Sequence, residues 1–213
     1  MRKQRKRGGA VVEFALLSPF LIGLIVGTMT VGIQLVKELE LTQVARDTGS
    51  MYSRGVDFTI SANQQVVARM AQELGWPASG ITSSSSGVVY VSRIEYIDGS
   101  CNGITPPNGK TCNTNSWVFV NSSSFGNTNL RTSNFGAPPP CTPGCYATPY
   151  NGDLNLADSL YNSQAVVQNF HYLGTPVSGN AGFQPGQVAN LVEVAGTIGP
   201  WNGGKTGYAF AMF

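Results

Sequence analysis

The residues with the clearest capacity for chemistry sit at the N-terminal end. The stretch RKRGGAVVEF places Glu13 just inside an apolar run, where a carboxylate in hydrocarbon is unfavourable by about 2–4 kcal/mol. A cation offsets that penalty, and the strongest local candidate is a free α-amine created by cutting the chain just upstream. Cutting between Gly8 and Gly9 makes Gly9 the first residue and Glu13 the fifth; cutting after Gly9 makes Glu13 the fourth.

Two further groups carry reactive side chains. Cys101, Cys112, Cys141 and Cys145 read as two disulfides, and four cysteines allow about three connectivities, all of which stay open. The Pro-Gly turn in CTPGC would let Cys141 and Cys145 pair locally. The cysteines lack the paired short spacings of a zinc site, no histidine is near, and no metal is expected. His171, the single histidine, lies in QNFHYLG, where a packed or surface imidazole is the simpler reading than a base. No nucleophile elbow, phosphate loop or metal-binding helix motif occurs, so neither an enzyme nor a cofactor is expected. Tyr146, Tyr150, Tyr161 and Tyr172, with nearby Asn and Gly, could form a glycan or protein surface, although loop packing explains them as well.

The element that must position Glu13 is a long helix. Residues 14–36 carry no charge, and a helix of that length covers ~34 Å, enough to span a bilayer. The run exceeds the apolar core of a cleavable secretory signal. Five of the 13 basic residues lie in the first seven positions, and only Lys37 closely follows the run, which puts the N-terminus in the cytoplasm and the remainder outside. Removing those five from the net charge of +2 leaves −3, so nucleic-acid binding has no basic patch to rest on. Gly23, Gly27 and Gly32 permit close approach by another helix.

Helical spacing of Leu39, Leu41, Val44, Ala45 and Met51 carries the rod beyond the membrane, with Gly49 or Gly55 as its end. A second helix starts at Ser61 as cap, lines one face with Val66, Val67, Met70, Ala71 and Leu74, and ends at Gly75 and Pro77. Its stripe is expected to pack on the following sheet. Alternation then sets Val88, Tyr90, Ser92, Ile94 and Tyr96 on one strand face and Val89, Val91, Arg93 and Glu95 on the other. Further strands are expected at 116–121, 188–198 and in the terminal GYAFAMF, with turn-rich loops at 99–115 and 121–153. The low charged fraction of 11% and the 26 glycines and 12 prolines suit a loop-rich extracytoplasmic domain. The expected fold is α+β: a basic leader 1–8, an N-terminal helix 9–55 with its span at about 14–36, and a domain 56–213 with a second short helix and a small antiparallel sheet bearing disulfide-linked loops.

The basic leader, glycine pair, acid at the fifth position and apolar helix resemble a type IV prepilin signal. GGAVVEFALLSPFLIGLIVG is similar to the TadE/TadG-like pseudopilins of the tight-adherence (Flp) pilus system. QVARDTGSMYSRG and NLVEVAGTI resemble later segments of that family; residues 76–187 carry no resemblance. The resemblance implies cutting by a membrane aspartyl prepilin peptidase, with Gly8 at the scissile site, and methylation of the new N-terminus. It also implies assembly with other pilins and the Tad machinery, where Glu13 pairs with a pilin N-terminal amine and sets subunit register. The domain is larger than the small Flp major pilin, which favours a minor or initiating component, single-pass in the inner membrane before extraction into a pilus. The competing expectation is an uncleaved, signal-anchored surface protein that binds a ligand.

Overall fold

A computed structural model describes residues 9–106, 109–136, 160–170, 184–198 and 205–213. The first helix, α1, runs without interruption over Gly9–Ser53. At 1.5 Å per residue its 45 residues span ~68 Å. Pro19 lies inside it. Three hydroxyls of the apolar stretch turn back onto the helix: Ser18 donates to the Ala15 carbonyl, Thr28 to those of Leu24 and Ile25, and Thr30 to that of Gly27. Each polar group is thereby satisfied without a neighbour, which suits an apolar surrounding.

The character of α1 changes along its length. From Val12 to Leu39 its large apolar side chains are exposed, Phe14 at 68% and Phe20 at 80%. From Leu41 onward one face is buried, through Leu41, Val44, Ala45, Thr48 and Gly49, the i, i+3, i+4, i+7, i+8 stripe of a helix seated on a core. The same helix is therefore a free apolar rod at one end and a domain helix at the other.

Of the two expected stops, Gly55 is the one used. Gly55 adopts φ +85°, its amide donates to the Tyr52 carbonyl at 2.9 Å, and the Val56 amide donates to that of Met51 at 3.1 Å. This is a Schellman cap, which requires the left-handed conformation that glycine adopts without strain. Gly49 instead lies within the helix: a β-carbon there would sit 2.1 Å from the Phe213 ring, so its bare backbone admits that side chain.

The second helix, α2, spans Ser61–Met70. Ser61 is its first residue rather than its cap; Ile60 holds the cap position with no side-chain hydrogen bond. The entry is tied down from within, since the Asn63 and Gln64 side-chain amides donate to the carbonyls of Asp57 and Phe58 at 2.6 and 2.7 Å. Val67, Ala68, Ala71 and Leu74 join the core, whereas Val66 is 41% exposed and leaves the expected stripe. A 3-10 turn at Gln72–Leu74 rotates the chain, so that Leu74 faces inward before Gly75 ends the element at φ +83°.

The sheet consists of β1 (Gly87–Ile97), β2 (Ser116–Gly126), β3 (Val188–Thr197) and β4 (Thr206–Met212). Their order is β2-β1-β3-β4, and all three pairings are antiparallel. The strand expected at 116–121 continues to Gly126 because Ser122, Ser123 and Ser124, which read as turn residues, pair with β1, and Phe125 enters the core. Val89 and Val91 face α1 together with Val192, Val194, Ala209 and Ala211. A bulge between Arg93 and Ile94 shifts the register with β2. On the opposite face Ile94, Trp117, Phe119 and Leu191 pack beneath Phe135, Val167 and Phe170. Residues 127–136 and 160–170 thus cover a face that a lone four-stranded sheet would leave wet.

Candidate functional site

The N-terminal site lies at the free end of α1. Gly8 is outside the described residues, and Gly9 is the first residue of the helix. Glu13 is exposed in the second turn and makes no hydrogen bond or ion pair among the described residues. None of the described residues therefore offsets its carboxylate. Nothing lies within 4 Å of a β-carbon built at Gly23, Gly27 or Gly32, so that surface is open to lipid or another helix. Among the described residues, one helix is long and apolar enough to cross a membrane, with a mean hydropathy of 2.1 over its best window. That suits a single-pass anchor.

Among the described residues the sequence-selected groups fall in separate places, Glu13 near the N-terminal end of α1 and the cysteine pair in the domain. Cys101 and Cys112 are joined in a disulfide, Cα to Cα 6.1 Å, in the β1–β2 connection, where Cys101 packs with Ile97, Val118 and Leu160. The turn before it is held by Asp98, whose Oδ1 accepts from the Asn102 amide at 2.7 Å and the Ser100 amide at 2.9 Å. The Asn102 amide, then the Ser100 hydroxyl, keep the Asp98 carboxyl below its usual range. Cys141, Cys145, Tyr146, Tyr150, His171 and Tyr172 fall outside the described residues. Tyr161 lies near Lys110, whose ammonium is 5.9 Å from the ring centroid, beside the Cys112 end of the disulfide-linked loop.

Two acidic residues gain importance from their environments. Both oxygens of Glu40 are enclosed where α1 meets the domain and, among the described residues, have no hydrogen bond of ordinary geometry, although the Leu74 amide is close. Desolvation, then the charge of Glu73, raises its pKa. Glu193, only 2% exposed, is deep in β3. It accepts from the Ser133 hydroxyl, from the Asn134 amide at 2.7 Å and from the Tyr208 hydroxyl at 2.8 Å. The Arg131 guanidinium lies 4.2 Å from the Tyr208 ring centroid, and the Arg131 carbonyl accepts from Tyr90 at 2.8 Å. This network fastens residues 131–134 to the sheet face opposite α1. Burial, followed by the Glu193 charge, raises the pKa of both Tyr208 and Tyr90. The signal in the sequence was an acid inside the β-branched run NLVEVAGTI, the same kind of anomaly as Glu13. Its partners, which lie 15 and about 60 positions away, could not be read from it.

The family model described as TadE-like protein matches residues 8–49. The match begins at the glycine pair, includes Glu13 and the whole exposed part of α1, and ends four residues before the helix does. No curated protein and no solved structure matches the chain.

Proposed function

We propose that this chain, TadE-like over residues 8–49, is a minor pilin or pseudopilin of a Tad (Flp) type IV pilus. In this role it contributes to pilus biogenesis, adhesion or secretion by assembly rather than by catalysis. One observation carries the reading: the TadE-like segment contains the whole part of α1 that leaves the domain as a continuous, exposed apolar rod. Such a surface requires lipid or neighbouring helices, and a pilin uses both in turn. The rod sits in the membrane before assembly and in a helix bundle afterwards.

On this reading a prepilin peptidase cuts between Gly8 and Gly9 at the cytoplasmic face, and the basic leader leaves. The domain stands outside the inner membrane. Glu13 then meets the new α-amine of a pilin within the bundle. In a low-dielectric bundle, a subunit stagger that pairs the two charges is favoured over one that strands either. Glu13→Ala is expected to insert and be processed normally and to lose co-assembly with other pilins, measured by co-purification of sheared pilus fractions. Normal co-assembly of that variant would remove the register role.

A further inference from the structure

α1 enters the domain between Leu39, the last of its exposed large apolar side chains, and Leu41, the first residue of its buried stripe. Glu40 sits at that step, and two surfaces close on the helix there. One is the sheet. Leu41 seats against it where Gly196 of β3 and Gly207 of β4 leave room: a β-carbon built at Gly207 would lie 2.6 Å from a Leu41 methyl. This contact is apolar and holds no group that titrates. The other surface is the 3-10 turn at Gln72–Leu74, and here the contact carries charge. Both oxygens of Glu40 are enclosed without a hydrogen bond among the described residues; the nearby Leu74 amide already donates to the Ala71 carbonyl at 3.1 Å. Glu73 of the turn acts on Glu40 as a like charge, and Lys37, one turn back on α1, opposes it more weakly. On the other elements packed against α1, Arg69 of α2 is exposed, β4 carries no charged residue, Lys205 just before it is exposed, and Glu193 of β3 is turned to the opposite sheet face.

We propose that this junction is a proton-linked latch: with Glu40 neutral the 3-10 turn stays closed on α1, and with Glu40 ionised the turn opens while Leu41 remains seated on the sheet. An ionised carboxylate enclosed beside a second acid and without hydrogen bonds is destabilised by lost solvation and by repulsion. A proton removes both, and opening removes them too by admitting water. The turn is built to open by itself. Its amide bonds are local, from Leu74 and Trp76 to the Ala71 carbonyl and from Gly75 to that of Gln72, so lifting it breaks no strand pairing. What holds it shut is apolar, since Leu74 and Trp76 are each 3% exposed. Desolvation, then the Glu73 charge, raises the Glu40 pKa above its ordinary 4.5, so the closed form holds the proton more tightly than the open one. Closure is strongest below the ordinary value and weakens as pH rises through the raised one. The latch needs neither cutting at Gly8 nor assembly, and the inference stands independently of the pilin reading.

Hydrogen–deuterium exchange of the full chain in detergent micelles, at about pH 4.5 and about pH 8 and corrected for the intrinsic rate at each, reads the latch. The reporting amides are those of Leu74, Gly75 and Trp76, with Val192 and Val194 of β3 as the reference. Protection of the turn relative to β3 is expected to fall by about fivefold or more between the two conditions, the low end of what one buried acceptor left unpaired amounts to. Glu40→Gln and Glu40→Leu, neither of which ionises, are each expected to abolish that fall. A turn equally protected at both pH values, or the parent's fall persisting in either variant, would overturn the proposal. A fall of the same size at the β3 amides would show the whole domain loosening instead of the turn, and overturns it as well.

Discussion

Replacing Glu193 with leucine asks what holds the covered face of the sheet together. The substitution keeps β3 apolar and removes the acceptor for three donors: the Ser133 hydroxyl, the Asn134 amide and the Tyr208 hydroxyl. Each buried donor left unpaired costs about 1–3 kcal/mol. Ser133 and Tyr208 are half-buried and Asn134 is exposed, so water replaces part of what is lost and the sum falls to ~2–3 kcal/mol instead of the upper limit. Relief from burying a carboxylate works in the opposite direction. Glu193→Gln retains an oxygen for Asn134 and Tyr208 while losing the charge assistance, and is expected to cost ~1–2 kcal/mol. Denaturant unfolding of the full chain in detergent, followed by tryptophan fluorescence, reports the loss, since Trp117 packs in the cluster on that face. A leucine variant within ~1 kcal/mol of the parent, or a glutamine variant as unstable as the leucine one, would refute the clamp reasoning.

Two further outcomes follow from the domain. Changing Cys101 and Cys112 together to serine opens a loop with a sequence separation of 11, and chain entropy alone puts the loss near ~3 kcal/mol; an unchanged denaturation midpoint would show that the loop needs no cross-link. Tyr208 and Tyr90 hold their protons more tightly in the fold than their ordinary value of 10.0. Above pH 10 the unfolded chain therefore loses protons that the fold keeps, and stability falls as pH rises. Tyr208→Phe should flatten that alkaline decline, as read by unfolding at a series of pH values, and an identical pH dependence would contradict it.

The parts of the fold legible in the sequence were those with local causes. The uncharged run at 14–36, the helical stripe from Leu41 and the alternation in β1 each follow from periodicity within one element. What escaped depended on distant partners. Ser122–Ser124 extend β2 because β1 is there to pair with them, not because serine favours strands. Ser61 yields the cap position to Ile60, whose carbonyl accepts from the Asn63 and Gln64 backbone amides while their side chains reach back to the carbonyls of Asp57 and Phe58. Glu40 and Glu73 belong to separate elements, and only the packing of the 3-10 turn on α1 brings their charges together. Gly8, Gly9 and Glu13 were conspicuous for the opposite reason, since their meaning rests on a short contiguous pattern.

The N-terminus of the protein in its native membrane tests the central claim most directly. Mass spectrometry of the native membrane fraction is expected to find a chain beginning at Gly9, and Gly8→Val is expected to abolish that terminus and leave the basic leader attached. Recovery of an intact Met1 terminus, or of a peptide containing Arg5-Lys6-Arg7 joined to Gly8-Gly9, as the main native species would contradict the prepilin account and leave Glu13 without the amine proposed to pair with it.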